Sequence, residues 1–205
     1  HRFPQEVAKP GGNPDLARDT LYLWASDDGG ATFQSPGIVG VAPLAGQSVA
    51  FGSADNPLVG SVTNVKTGGV QFSATSAGRF TTTAAALAPG DFTEGRMAVA
   101  NGIPSVVYHD LGSTSFIRTW TGQGDVNDAA TWSPPTSFAG LEPGITNAGG
   151  TLMVTGRRPD GGALELRNMA DGAVRTLSSG QPGSQIVPIG HAYGSTSVVW
   201  QGAEG

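Results

Sequence analysis

The sequence has 205 residues, of which 38% are hydrophobic and 13% are charged, with a net charge of -5 and no cysteine. A chain of this length buries enough apolar surface for one core without disulfides. The lack of cysteine excludes disulfides, thiolate metal sites and cysteine nucleophiles, and an acidic chain with only two lysines has no basic surface for nucleic acid.

The sequence contains no apparent membrane-spanning segment, and its first residue is typical of a processed chain. No apolar stretch reaches the roughly 20 residues that a membrane-spanning helix needs, so we expect no membrane span. The first residue is His1 rather than methionine, which is typical of a processed or trimmed product. We therefore expect a secreted or cell-surface protein.

The N-terminal residues differ from the rest of the chain. Residues 1–18 predict an irregular arm, and residues 19–205 predict a single domain, because no linker or change of composition divides them. Short β-like runs, separated by Gly, Pro, Asn or Asp, follow at intervals of about ten residues, which favours an all-β sandwich, barrel or propeller. These runs are TLYLWAS, QSVAFGS, GVQFSAT, RMAVA, PSVVYHD, SFIRTW, TLMVTG, ALELRN, SQIVPIG and TSVVWQ.

A short polar stretch after the first run recurs along the chain. Its best copy, SDDGGATF, has Ser, Asp, Gly, Thr and Phe at fixed spacing, namely Ser26, Asp28, Gly30, Thr32 and Phe33. Weaker copies begin at Ser73, Asp125 and Asn168, so the starts are 47, 52 and 43 residues apart. A four-stranded propeller blade occupies about 40 to 50 residues, and the period therefore favours a propeller.

The repeated stretch resembles the Asp-box, or BNR repeat, of sialidase-type β-propellers. The resemblance implies that each box forms the turn between the third and fourth strands of a blade, on the face away from the active site. In such a turn Asp28 accepts backbone N–H bonds, Gly30 takes a positive φ and Phe33 packs outside its blade. We interpret these residues as structural rather than catalytic.

The boxes divide the chain into blades. Complete blades of four strands are predicted at about residues 46–87, 94–138 and 144–177, as expected for the repeat length. Two strands remain near the N-terminus, at 20–26 and 33–39, and two near the C-terminus, at 184–190 and 195–201. Two architectures remain open: a ring of four blades closed by the terminal strands, which removes exposed edges, or a fragment of a six-bladed propeller.

The face opposite the boxes is the predicted binding face. It carries the turns between second and third strands and the connections between blades, the latter with Asp91, Glu94, Glu142 and Gln181. Loops on a rigid scaffold commonly hold binding groups. The predicted ligand-binding residues lie in two of these turns and are Tyr108, His109, Asp110, Arg157 and Arg158.

Each of these two turns has a functional and a plain structural interpretation. His109 beside a carboxylate can be poised near neutral pH, and Tyr108 can hydrogen-bond a sugar hydroxyl. The planar fork of arginine suits a carboxylate. The alternative for both segments is a polar turn that closes a strand, since the Asp-Gly that follows Arg158 is itself a turn signal.

The resemblance to sialidases also implies an arginine triad, a Tyr–Glu nucleophile pair and an Asp acid/base. The sequence departs from that set: RFP, from Arg2 to Pro4, only loosely matches the family's Arg-Ile-Pro motif, and no Tyr can be paired with a Glu. The only internal histidines, His109 and His191, are too few for an imidazole metal site. We predict no catalytic residue, no metal and no cofactor.

The predicted function is a non-catalytic propeller that binds a glycan or a protein through its box-free face. One alternative is a sialidase-type glycoside hydrolase, complete or truncated. The other is a structural repeat segment of a larger surface protein.

Overall fold

The described part of the chain consists of short strands. The computed structural model describes residues 20–23, 31–32, 37–41, 44–53, 56–65, 69–76, 79–80, 85–89, 92–110, 112, 114–158, 160, 163–178, 182–191 and 193–202. Within these residues the fold is all-β, with one 3₁₀ turn at Ala129–Thr131. The predicted all-β class is confirmed. The predicted arm, residues 1–18, lies outside the described residues.

The first half of the chain forms two antiparallel sheets. A two-stranded sheet comes first, and a five-stranded sheet follows in the order β3-β4-β5-β6, with β7 also paired to β5. The strands are β1 (Thr20–Leu23), β2 (Gly37–Val41), β3 (Leu44–Ser53), β4 (Asn56–Val65), β5 (Gly69–Ser76), β6 (Arg79–Phe80) and β7 (Ala85–Ala88).

The second half forms two four-stranded antiparallel sheets and a final hairpin. The first sheet has the order β8-β9-β10-β11, the second has the order β12-β13-β14-β15, and β16 pairs with β17. The strands are β8 (Phe92–Ala100), β9 (Ile103–Asp110), β10 (Thr114–Thr119), β11 (Thr136–Ala139), β12 (Leu141–Ala148), β13 (Thr151–Arg157), β14 (Leu164–Asn168), β15 (Val174–Ser178), β16 (Pro182–Gly190) and β17 (Thr196–Gly202).

The three predicted four-strand units each correspond to one sheet. The sheets span residues 44–88, 92–139 and 141–178, close to the predicted limits. In each unit neighbouring strands are joined by a turn and pair in chain order, which the Gly, Asn and Asp spacing between strands favours. The first sheet differs because β5 pairs with two later strands, the two-residue strand β6 and the strand β7.

The terminal strands do not combine as the four-blade ring requires. Strands β1 and β2 form one two-stranded sheet, and β16 and β17 form another. Among the described strands, β17 has no pairing with β1. The expectation that the two hairpins complete one blade is therefore not met among the described residues, where the strands of each hairpin pair only with each other.

The sheets stack through their first strands. Strand β8 lies beside β3 on one side and β12 on the other, and β12 lies beside β16. One apolar cluster fills the space between the sheet of β5 and β7 and the sheet of β8 to β11, with Phe72, Met97 and Tyr108 among its members. A second cluster, which includes Val107, Ile117 and Val154, lies between that sheet and the sheet of β12 to β15. Apolar burial therefore holds successive sheets face to face.

Each sheet has two ends that differ in their turns. The end that carries the turns after first and third strands is called the box end. These turns lie at 101–102, 120–135, 149–150, 168–173 and 191–195. The opposite end, which carries the turns after second strands and the links between sheets, is called the connection end. These segments lie at 110–114, 139–142 and 157–164. The Ser115 hydroxyl donates to the Gly140 carbonyl at 2.8 Å, which joins a turn and a link at the connection end.

Hydrogen bonds between first strands tie the box ends together. The Asn147 side-chain amide donates to the Val99 carbonyl at 2.9 Å, and the Gly190 N–H donates to the Thr146 hydroxyl at 2.7 Å. A Cβ atom at Gly190 would collide with the carbonyl oxygen of Asn147. Glycine is therefore required where β16 approaches β12.

Candidate functional site

The box-type turn at 125–132 is a tightly hydrogen-bonded connection between β10 and β11. The Asp125 carboxylate accepts from the Asn127 N–H at 2.9 Å, and the Asp128 carboxylate accepts from the Ala130 N–H at 2.9 Å. The Thr131 hydroxyl donates to the Asp125 carbonyl at 2.7 Å. The turn therefore uses its polar side chains for its own backbone, as Asx turns do.

Two side chains of this turn reach the preceding sheet. The Asn127 side-chain carbonyl accepts from the Ala74 N–H on β5 at 2.9 Å in a buried contact. Trp132 is 4% exposed and packs edge-on against Phe72, with ring centroids 4.8 Å apart. The box turn therefore fastens one sheet to the next, and its role is structural.

Arg118 on β10 reinforces the same junction. Its guanidinium donates to the carbonyls of Leu87 at 2.7 Å, Ser133 at 2.8 Å and Ala129 at 3.0 Å. Leu87 belongs to β7 of the preceding sheet, so a single side chain bridges two sheets. Sequence reasoning did not identify Arg118, because strand position alone does not show which carbonyls a side chain reaches.

The copy beginning at Asn168 has the same local geometry. Its side-chain carbonyl accepts from the Ala170 N–H at 2.8 Å, two residues along, as Asp125 does for Asn127. Gly172 has a φ of 74° and donates its N–H to the Asn168 carbonyl. In the copy beginning at Ser26, Thr32 is exposed. The other box residues of that copy, Ser26, Asp28, Gly30 and Phe33, lie outside the described residues, between the paired strands β1 and β2.

The predicted pair of His109 and Asp110 forms a turn at the connection end. The Asp110 carboxylate accepts from the N–H groups of Gly112 at 2.9 Å and Thr114 at 3.2 Å. His109 is half-buried, and its Nδ1 lies 2.7 Å from the Asp110 backbone carbonyl oxygen. The Asp110 carboxylate therefore stabilises the turn, which agrees with the interpretation of this segment as a polar turn.

Tyr108 lies in the core between two sheets. It is 2% exposed and stacks on Phe116, with ring centroids 5.6 Å apart. Burial raises the pKa of its hydroxyl above the ordinary value of 10.0, and the charge of Arg118 partly opposes that rise. We therefore leave Tyr108 out of the binding surface proposed below.

Arg157 and Arg158 lie at the end of β13 and engage different carboxylates. Arg157 Nη2 lies 3.8 Å from Glu142 Oε1, and both side chains are 25% exposed. Arg158 Nη2 lies 2.6 Å from Asp160 Oδ2, and its side chain is 50% exposed. Arg158 Nε also lies 3.9 Å from Glu165 Oε1. Arg157 and Arg158 thus form separate ion pairs, and we call the pair of Glu142 and Arg157 the charged cluster.

Glu142 belongs to this cluster, although the sequence placed it only in a connection between two predicted blades. It precedes Pro143 and has a φ of 52°. The register between β12 and β13 shifts between Leu141 and Gly144, so Glu142 occupies a bulge at the start of β12. The signal for this residue in the sequence was a charge directly before the proline of GLEPG, because the backbone of a residue before proline is restricted.

Two further features concern the part of the chain that the structure describes. In this part of the chain, no group of three or more His, Asp or Glu residues is placed to hold a metal ion. No helix there is long and apolar enough to span a bilayer.

Comparisons with known proteins add no relatives. No protein-family model matches the sequence, and no curated protein shows significant similarity to it.

Proposed function

We propose that the chain is a propeller-type repeat domain of sialidase-like architecture that binds a glycan through its connection end and performs no catalysis. Three consecutive sheets stacked through their first strands, two of them with a box-type connection after the third strand, support the propeller. The separate terminal hairpins favour an arc of a larger ring over a closed ring of four blades.

One contrast carries the proposed binding face. At the box end, polar side chains such as Asp125 and Asn127 are used for backbone contacts within and between sheets. At the connection end, Arg157, Arg158 and Glu142 keep a quarter to a half of their side chains exposed. Partly exposed donors and acceptors on a rigid sheet end are what a polar ligand needs.

The positions of Tyr108 and Tyr193 favour binding without catalysis. The sialidase mechanism implied by resemblance requires a tyrosine nucleophile, yet Tyr108 is buried in the core. Tyr193 is 81% exposed but lies at the box end, stacked on His191. Neither ring belongs to the ion pair of Glu142 and Arg157.

A glycan array followed by activity assays tests this function. Wild-type protein should retain at least one class of glycan and should release no fluorophore from sialosides or neutral glycosides. Sustained turnover would contradict the non-catalytic proposal and support the hydrolase. Retention of no glycan, including the case of a purely protein ligand, would contradict glycan binding.

A further inference from the structure

Buried polar atoms that lack a hydrogen-bond partner concentrate at one place in the described residues. Such atoms are Trp120 Nε1, Glu142 Oε2, Thr155 Oγ1 and Arg157 Nε. Three of these four belong to β12 and β13, and two belong to the same ion pair. A buried polar group without a partner costs about 1 to 3 kcal/mol, so a ligand that supplies partners here removes an existing penalty.

The backbone of Glu142 is held in an unfavourable conformation. Its φ of 52° lies in the left-handed region, which Asn, Asp and Gly occupy far more readily than Glu. The bulge at the start of β12 directs this residue away from the regular ladder, and bulges commonly re-aim side chains next to binding sites. A strained residue that is also incompletely hydrogen-bonded is a reason to look for a ligand.

The ion pair of Glu142 and Arg157 is loose enough to admit a ligand. The closest contact, 3.8 Å between Arg157 Nη2 and Glu142 Oε1, is longer than a hydrogen bond. A pair of this length with both side chains 25% exposed is held weakly. Each side chain of this pair also has a buried atom without a partner, the acceptor Glu142 Oε2 and the donor Arg157 Nε.

The local charge decides the class of ligand. The cluster holds one cation, Arg157, and one carboxylate, that of Glu142. Its formal charge is therefore one minus one, or zero, which does not favour an acidic ligand. The guanidinium beside Glu142 in turn disfavours a metal cation. A neutral group that both donates and accepts hydrogen bonds fits best.

We infer that Glu142 and Arg157 bind adjacent hydroxyl groups of a neutral saccharide. One sugar hydroxyl donates to Glu142 Oε2, and its neighbour accepts from Arg157 Nε, so both buried atoms gain partners. This inference rests on the proposed glycan-binding function and names its ligand class and two contact residues.

Titration of the purified chain with saccharides tests this inference. The neutral probes are lactose and the methyl glycosides of glucose, galactose and mannose, and the acidic probe is sialyllactose. The variants are Glu142→Gln and Arg157→Lys, which keep side-chain size, and the matched control is Arg175→Lys on the exposed strand β15. Thermal melts of all variants establish that each is folded.

We expect a neutral saccharide to bind the wild type, and each of the two cluster variants to weaken that binding about tenfold or more. Arg175→Lys should change the affinity less than about twofold. Binding that survives both cluster variants, or binding of sialyllactose alone, would overturn this inference and leave the glycan-binding function standing. Failure of every saccharide on the array and in titration would overturn both.

Discussion

The box-type turn at 125–132 and the ion pair of Glu142 and Arg157 use polar side chains in opposite ways. At the box end, Asp125, Asn127 and Thr131 satisfy backbone groups of their own turn or of the neighbouring sheet. At the connection end, Glu142 Oε2 and Arg157 Nε are buried without hydrogen-bond partners. The comparison teaches that the turn satisfies its polar groups within the protein, whereas the ion pair retains unused hydrogen-bonding capacity.

Two residues with the same backbone conformation illustrate this difference. Asn101 at the box end and Glu142 at the connection end both have a φ of 52°. Asn101 is followed by Gly102, and Asn-Gly is the preferred pair for a two-residue hairpin. Glu142 is followed by Pro143 rather than glycine, and its positive φ accompanies the bulge at the start of β12.

The largest predicted effect is at the aromatic anchor of the box end. Trp132→Ala should lower the free energy of unfolding by about 3 to 5 kcal/mol, because it removes a buried ring packed between two sheets. Chemical denaturation measures this change. Tyr193→Ala, at an exposed ring of the same end, is the control and should change stability by less than about 0.5 kcal/mol. Similar losses for the two variants would contradict the anchoring role.

The next effect concerns the bridge between β7 and the box turn. Arg118→Lys should lower the free energy of unfolding by about 1.5 to 3 kcal/mol, because an ammonium group cannot reproduce the fork that contacts three carbonyls. Denaturation of the variant beside Arg175→Lys measures the difference. A loss no greater than that of Arg175→Lys would show that the bridge contributes little.

A smaller effect should appear at alkaline pH. Burial raises the pKa of Tyr108 above 10.0, so the folded protein keeps this proton to higher pH than the unfolded chain. The stability that depends on Tyr108 is therefore present below about pH 10 and falls as the pH rises further, by up to about 1.4 kcal/mol per pH unit. Comparison of wild type with Tyr108→Phe across this range isolates the effect, and a pH-independent difference would contradict it.

The smallest effect separates strain from binding at the connection end. Glu142→Gly should leave the unfolding free energy unchanged or raise it by up to about 1 kcal/mol, because glycine relieves the left-handed strain but gains freedom in the unfolded chain. Saccharide binding should be lost in the same variant. Thermal melts measure the first outcome and titration the second. A strongly destabilised Glu142→Gly would show that the residue is structural.

The local features of the fold could be predicted from the sequence, and the long-range ones could not. Gly, Asn and Asp between alternating strands are local signals, so the four-strand units and the turn at Asp125 were predictable. The burial of Tyr108 depends on which sheet packs over β9. The pairing of the terminal hairpins depends on strands far apart in the chain. Among the described strands the two hairpins form separate sheets, so the ring of four blades, one of the two predicted architectures, is not confirmed.

The candidate site was predictable only in part. Arg157 was identified from its turn and Glu142 was placed on the same predicted face, but their pairing was not predicted, because the bulge at the start of β12 is not visible in residue types. Two interpretations of His109 and Asp110 were open, and the structure agrees with the polar turn, because the Asp110 carboxylate accepts from backbone N–H groups of its own turn. Neighbouring polar side chains compete for the nearest backbone N–H groups, and the Asp110 carboxylate accepts from those of its own turn.

The most direct test of the account is a map of amide chemical-shift changes during titration with the neutral saccharide that binds. The account predicts the largest changes at the connection end, at Glu142, Arg157 and neighbouring residues, with little change at Asn101, Asn127 or Asn168. Largest changes at the box end would contradict the division of the molecule into a packing end and a binding end.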